Sequence, residues 1–161
     1  FFYDGAIRVP LILQWPGEIE PGRSQALVEL LDLPQTLLDL VGLVAHPGMQ
    51  GRSLAPMLRG TADPDMHRDS VYCEFYNACN GHNGSNELPA MTTMVRTRRH
   101  KLTVAHGHGD GELYDLEADP NELRNLWSDP RAVDRKAEML VRLSDRMAYT
   151  VDPLPARRAP W

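Results

Sequence analysis

The chain has 161 residues with 22 acidic and 17 basic side chains, so its formal net charge is −5 at pH 7. Hydrophobic residues make up 42% of it and charged residues 24%, a balance that excludes a disordered or fibrous chain. The acidic balance argues against a nucleic-acid-binding surface. No membrane-spanning helix is predicted, because acidic residues and a proline interrupt the most apolar stretch, 27–45.

One strand and one helix are predicted in the first part of the chain. The run Ile7–Trp15 is short, branched and apolar, which predicts a strand buried on both faces, with Pro10 at an edge or at the strand's start. A helix is predicted to begin at Asp32, whose carboxylate would accept from the first-turn amides with Gln35 as capping-box partner, and to end at Gly42. Its predicted apolar stripe consists of Leu33, Leu37, Leu38 and Val41.

After Asp69 the hydrophobic period changes to two, which predicts a small antiparallel sheet. Strands are predicted over Val71–Tyr76, Met94–Arg99, Lys101–His106 and Glu112–Leu116, the last two joined as a hairpin by a glycine-rich loop.

A terminal helix is predicted after Asp129, which precedes Pro130 in a cap-then-proline arrangement. The elements together predict an α+β fold, in which a strand and a helix are followed by an antiparallel sheet covered by this terminal helix. The predicted apolar stripe of the terminal helix consists of Val133, Ala137, Leu140, Val141 and Met147.

Three polar groupings could carry chemistry, and each has a plainer interpretation. His106, His108 and Asp110 could begin a metal site, or could form an exposed hairpin tip. The polar stretch that follows Tyr76 suits sugar hydroxyls, or is an ordinary turn-forming loop. The basic run at 96–101 could bind sulfate, phosphate or carboxylate, or could pair with nearby acids.

Several motifs of this chain resemble, in order, the closing motifs of type I, formylglycine-dependent sulfatases of the alkaline-phosphatase superfamily. The matching segments are Tyr3–Ile12, Asp32–Gly42, Gly51–Leu54, Arg96–Leu102 and Glu112–Leu126. The resemblance implies that 1–66 is the end of a large α/β domain and that 67–150 is an antiparallel-sheet subdomain with a helix. Prolines at 153, 155 and 160 predict that 151–161 is an extended tail.

The same resemblance implies Ca²⁺ and a formylglycine in the intact enzyme, with none bound to this chain. Neither Cys73 nor Cys79 stands in the Cys/Ser-x-Pro/Ala-x-Arg motif that yields formylglycine, and whether these two cysteines pair is open. We therefore expect no catalytic residue and no metal ligand in this chain, and a sulfate-contacting lysine would fall before its first residue. Residues expected near substrate are Tyr76, Asn77, His82, Asn83 and His100. Residues expected to have a structural role near the site are Tyr3, Asp4 and Arg8.

The expected function is that of the C-terminal piece of a sulfuric ester hydrolase, inactive by itself. The alternatives are a piece of a phosphonate monoester or phosphodiester hydrolase of the same superfamily, and a stand-alone binding module without chemistry. The expected partner of the intact enzyme is a sulfated small molecule or sugar. A severed piece would expose apolar surface, so self-association is also expected. The compartment stays open.

Overall fold

The computed structural model describes residues 2–76 and 91–150. None of the helices in these two ranges has the length and apolar character needed to span a membrane. A short 3-10 helix, Pro130–Ala132, leads directly into the last helix. The helices are α1 (Asp4–Ile7), α2 (Asp32–Leu40), α3 (Ala55–Leu58) and α4 (Val133–Ala148). The strands are β1 (Val71–Tyr76), β2 (Met91–Arg96), β3 (His100–His106) and β4 (Asp110–Asp115).

The four strands form one antiparallel sheet in the order β1-β2-β3-β4. The predicted sheet, the bounds of β1 and the β3–β4 hairpin are confirmed. The predicted strand Met94–Arg99 is wrong in its bounds, because β2 ends at Arg96 and the chain then turns. Thr97 forms that turn, since its amide and hydroxyl both donate to the His100 carbonyl and its hydroxyl accepts from the His100 amide.

The buried hydrophobic residues of the sheet and of α4 are Met94, Val95, Leu102, Leu113, Tyr114, Met139 and Leu143. The stripe predicted for α4 is wrong: Leu140 and Val141 are exposed, and the buried pair is Met139 and Leu143. Arg142 and Arg146 flank that pair and bond to Asp69 and to the Ser70 carbonyl. Long basic side chains cover apolar surface with their stems, so a pattern based on apolar residues alone selected the wrong face.

The strand predicted over Ile7–Trp15 is also wrong. Its first residue ends α1, and residues 8–15 form no strand. Ile12 is 86% exposed and Val9 is more than half exposed. A strand exists through hydrogen bonds to a neighbouring strand, and the described residues place no partner strand beside this segment. Pro10 removes one of the donors that such pairing would need.

Helix α2 is confirmed; it ends at Leu40, and the predicted stop residue Gly42 follows the C-cap with a φ of 73°. The predicted cap is wrong, because Leu31 occupies the N-cap position and makes no side-chain capping bond. The predicted stripe is wrong in part: Leu37 and Val41 are exposed, whereas the polar residues Asp32 and Thr36 are buried. The carboxylate of Asp32 has other partners, which are described below.

The chain forms two compact units. One contains the chain up to Leu13 together with Asp69–Arg146, and the other contains Gln14–Arg68 with the described residues from Met147. The domain boundaries predicted after residues 66 and 150 stay predictions.

Candidate functional site

A buried lysine organises the polar residues of the sheet unit. Lys101 of β3 is 1% exposed, and its Nζ lies 2.9 Å from Asp4 Oδ1 and forms an ion pair with Glu122. Arg96 of β2 is its cross-strand neighbour and donates through Nη2 to Asp4 Oδ2 at 3.1 Å. We call Asp4, Arg96, Lys101 and Glu122 the lysine cluster. It joins the start of the chain to residues about a hundred positions later.

Glu122 closes the lysine cluster from the loop that follows β4. It accepts the Asp4 amide through Oε2 at 2.8 Å and is buried. Its φ of 57° places it in the left-handed region, the only such case among the described residues other than glycine. That conformation is unfavourable for a residue with a side chain, so the contacts to Asp4 and Lys101 have to hold it.

Tyr3 adds a second attachment beside Asp4. Its hydroxyl donates to Glu112 Oε1 at 2.8 Å, and its ring lies 6.3 Å from the ring of Tyr114. Tyr3 and Asp4 therefore both contact residues of the sheet that are distant in sequence, and their structural role near the site stays a prediction. Arg8 is exposed, and no acidic side chain in residues 2–76 and 91–150 forms an ion pair with it; its structural role stays a prediction.

The Asp4 carboxylate of the lysine cluster is held in its ionised form at neutral pH. Burial opposes ionisation of Asp4, but its bond from Lys101 and the positive charge of Arg96 outweigh this and lower the pKa of Asp4 below its ordinary value. The hydrogen bond to Glu112 raises the pKa of Tyr3, and burial raises that of Tyr114. A general acid or base needs a pKa near the working pH, so these three residues are suited to holding chain segments rather than to moving protons.

A second network surrounds a buried carboxylate in the other unit. Asp32 is fully buried, and both of its carboxylate oxygens accept hydrogen bonds from the Arg68 guanidinium. It also accepts the Glu29 amide at 3.0 Å and the Arg52 amide at 2.7 Å, with His67 Nε2 at 3.2 Å. Burial opposes its ionisation, but the bonds from Arg68 and from the two backbone amides outweigh this and lower the pKa of Asp32. We call Glu29, Asp32, His67 and Arg68 with the Arg52 amide the aspartate network.

Helix α2 uses its other polar side chains to hold the loop at residues 51–54. The Thr36 hydroxyl donates to the Asp32 carbonyl at 2.6 Å and accepts the Leu54 amide at 2.9 Å. Ser53 donates to Asp39 Oδ2 at 2.5 Å. A Cβ at Gly51 would collide with the Leu31 carbonyl, so only glycine allows this approach.

Sequence reasoning missed Arg68 and His67 because no motif marked them, and it included Glu122 in a family motif without giving it a role. A signal for Arg68 was nevertheless available. Glu29 and Asp32 interrupt the most apolar stretch of the chain, and a buried carboxylate requires a donor or a cation. The position of that cation in the sequence could not be read from the pattern.

The two described residues among those predicted near substrate, Tyr76 and His100, lie apart. Tyr76 is half exposed at the end of β1, whereas His100 is buried at the start of β3. The pairing of β1, β2 and β3 places these two residues at opposite ends of the sheet, about 20 Å apart for six-residue strands. Asn77, His82 and Asn83 lie outside the described residues, as does Cys79.

His100 is held among charged groups of its own unit. Its Nε2 lies 3.8 Å from Asp115 Oδ2. Burial and the positive charge of Arg135 on α4 lower its pKa, against the opposing effects of Asp115 and Glu138. His100 therefore favours its neutral form at pH 7.

The histidines at the β3–β4 turn and the basic run at 96–101 are the two remaining polar groupings, and both make ordinary structural contacts. Within the part of the chain that the structure describes, no group of three His, Cys, Asp or Glu residues could hold a metal ion. A calcium ion takes six to eight oxygen ligands, so the His, Cys, Asp and Glu residues of the described ranges do not fit a calcium site. His106 Nε2 lies 2.7 Å from the Thr93 hydroxyl. In the basic run, Arg96, Arg99 and Lys101 each pair with a carboxylate.

Comparisons with known proteins agree with the predicted resemblance. A family model described as "N-sulphoglucosamine sulphohydrolase, C-terminal" matches residues 1–149. The Delta 4,5-hexuronate-2-O-sulfatase of Bacteroides thetaiotaomicron is 34% identical over 155 residues, which are 94% of this chain and 31% of that protein. Arylsulfatase K of Gallus gallus is 33% identical over 134 residues, which are 77% of this chain and 23% of that protein.

A solved structure has a similar fold. It is the phosphonate monoester hydrolase from Silicibacter pomeroyi, with a TM-score of 0.71 and 25% identity over 86% of this chain and 28% of that chain. This chain therefore spans less than a third of each of the three proteins compared. The predicted α+β fold, with a small antiparallel sheet and a terminal helix, is confirmed. The chain belongs to the N-sulphoglucosamine sulphohydrolase C-terminal family, the closing part of sulfatases of the alkaline-phosphatase superfamily.

Proposed function

We propose that the intact protein is a sulfuric ester hydrolase and that this chain supplies its closing scaffold rather than its reacting groups. The observation that carries the proposal is the 34% identity with a Bacteroides sulfatase over 94% of this chain. The chemistry needs a nucleophile, a cation beside the nonbridging oxygens and an acid for the leaving oxygen. The described polar clusters hold segments of the fold together, so the proposal assigns those reacting groups to chain that precedes residue 1.

The proposal includes Ca²⁺ and a formylglycine in the intact enzyme, both held by residues outside this chain. The matching sulfatase motif would need Cys or Ser followed two positions later by Pro or Ala, and Cys73 is followed there by Phe75. Within the lysine cluster, the charged groups form ion pairs among themselves. The same is true within the aspartate network. These internal pairs support a structural role for both groups of residues.

The proposed substrate is a sulfated sugar. The name of the Bacteroides relative, a hexuronate 2-O-sulfatase, supports this class. Within this chain we place the substrate-proximal residues at Tyr76, Asn77, His82 and Asn83, where amide, hydroxyl and imidazole groups suit sugar hydroxyls. His100 is left out of this set, because it is buried at the other end of the sheet.

Hydrolysis of a phosphonate monoester is the second candidate, and the TM-score of 0.71 with such a hydrolase favours it. The intact protein, with its upstream sequence, should be assayed on an aryl sulfate and on the matched aryl phosphonate monoester. We expect faster hydrolysis of the sulfate and loss of activity after removal of calcium. Faster hydrolysis of the phosphonate would favour the second candidate, and hydrolysis of neither would favour a binding module.

We also propose that this chain, when produced alone, self-associates through the apolar face of α2 and the residues after it. Leu37, Val41 and Leu43 are more than half exposed, and Val44 is 95% exposed. Exposed apolar residues this close together mark an interaction surface or an aggregation liability. Light scattering should detect oligomers that the variant Leu37→Lys with Val41→Lys reduces, and a monodisperse monomer would contradict the proposal.

A further inference from the structure

Helix α1 does not hold itself in place. It has four residues, none of them buried, and no side-chain cap. Its internal bonds run from the amides of Ala6 and Ile7 to the Tyr3 carbonyl and from the Arg8 amide to the Asp4 carbonyl. A single helical turn is unstable in water by itself. The position of α1 must therefore come from contacts with the sheet.

The strongest of these contacts converge on Lys101. Its ammonium lies between the carboxylates of Asp4 and Glu122, with almost no access to water. An ammonium buried without partners is very unfavourable, so departure of Asp4 would leave a buried charge half compensated. Glu122 strengthens the attachment, because it binds both Lys101 and the Asp4 amide from an unfavourable backbone conformation.

We propose that Lys101 is a positioning residue, which fixes Tyr3–Ile7 on the sheet and so sets where the chain preceding residue 1 enters this unit. The inference rests on the proposed function, which assigns the reacting groups to that preceding chain. Lys101 itself is not proposed to contact the reacting atoms. It acts through Asp4, and the rigid β2–β3 pair provides the fixed reference.

An exposed ion pair on the turn between the same two strands provides a matched control. Arg99 pairs with Asp115 at 2.9 Å, but the Arg99 side chain is 58% exposed. Water at the exposed guanidinium screens this pair, so it contributes less than the buried pairs of Lys101. Arg99→Met therefore makes a substitution of the same kind as Lys101→Met without disturbing the lysine cluster.

The experiment compares intact-protein variants Lys101→Met, Asp4→Asn, Asp4→Glu and Arg99→Met with the wild type. In Asp4→Asn we expect the amides of Ala6, Ile7 and Arg8 to exchange about tenfold faster or more, with β3 unchanged, because local opening controls exchange. Asp4→Asn keeps the ion pair of Lys101 with Glu122, so it should fold even where Lys101→Met does not.

The kinetic readout separates positioning from general stability. For Asp4→Asn and Lys101→Met we expect kcat on the aryl sulfate to fall about tenfold or more with KM little changed, because misplacement of reacting groups acts on the transition state. Asp4→Glu should recover most of the rate, since it restores the carboxylate, and Arg99→Met should match the wild type.

Unchanged exchange at Ala6, Ile7 and Arg8 would overturn the proposal, and so would faster exchange with unchanged kcat. Failure of Asp4→Glu to recover more activity than Asp4→Asn would also overturn it. A wild-type protein inactive on both esters would refute the proposed function and the kinetic role together. The exchange comparison would still decide whether the lysine cluster holds Tyr3–Ile7.

Discussion

Asp32 and Lys101 are both almost fully buried charged residues, but they have opposite surroundings. Asp32 is a carboxylate that receives an arginine, a histidine and two backbone amides. Lys101 is an ammonium whose partners are two carboxylate side chains. The partners of Asp32 lie within 36 positions of it in sequence, whereas Asp4 and Lys101 are 97 positions apart.

This difference shows that one buried charge shapes a loop and the other fixes a distant segment. The backbone amides bound to Asp32 cannot leave it without rearranging the main chain, so the aspartate network determines local conformation. Side-chain carboxylates can separate from Lys101 while the β2–β3 pair stays folded. The lysine cluster is therefore the weaker structural element, and it is the one that determines placement.

The largest effect is expected from Asp32→Asn. The change leaves the guanidinium of Arg68 buried with only Glu29 as an anionic partner, at 3.5 Å. Removing one partner of a buried ion pair costs about 3–5 kcal/mol of unfolding free energy, to be measured by urea denaturation. Asp39→Asn, at a carboxylate that is 42% exposed, serves as the control. Equal losses in the two variants would contradict the role given to burial.

A smaller loss is expected from Asp4→Asn, because the Asp4 side chain is 21% exposed and water partly replaces its partners. Hydrogen bonds to charged groups contribute about 1.5–3 kcal/mol. The same urea denaturation measures it. A loss as large as that of Asp32→Asn would remove the distinction between the two clusters.

Thr36→Val tests the bond between α2 and the loop at residues 51–54 with little change in volume. The Leu54 amide loses its acceptor in a fully buried position. A buried donor left without a partner costs about 1–3 kcal/mol. Thr61→Val provides the control, since the Thr61 hydroxyl bonds to the Pro56 carbonyl at an exposed site. Similar thermal midpoints for both variants would disprove the assigned role of Thr36.

The smallest effect is expected from the titration of His100. Burial and Arg135 hold its folded pKa below the ordinary value of 6.5. Below pH 6.5 the unfolded chain therefore binds the proton more readily, and stability falls as the pH decreases from 7 to 5. Denaturation across that range should show a flatter profile for His100→Gln than for the wild type. Identical slopes would contradict the shift.

Local patterns predicted β1, the β3–β4 hairpin and α2 well, because alternation, turn glycines and helix stops act between near neighbours in sequence. They failed where a residue's partner was distant. Asp32 has the sequence features of a helix cap, but in the structure its carboxylate pairs with Arg68, 36 positions later. An aspartate can form either a helix-capping bond or a buried ion pair. Only the position of the Arg68 guanidinium in the folded chain decides which of the two forms.

The sequence by itself determined the fold class, the order of the four strands and the terminal helix, and the family, because these depend on periodicity and on residue types at fixed spacings. The tertiary structure decided which charges are buried and what they hold. Lys101 belongs to a basic run that is compatible with an exposed anion-binding face, and the fold instead encloses it between Asp4 and Glu122. Burial depends on which distant segments come to cover a residue, and no local spacing encodes that.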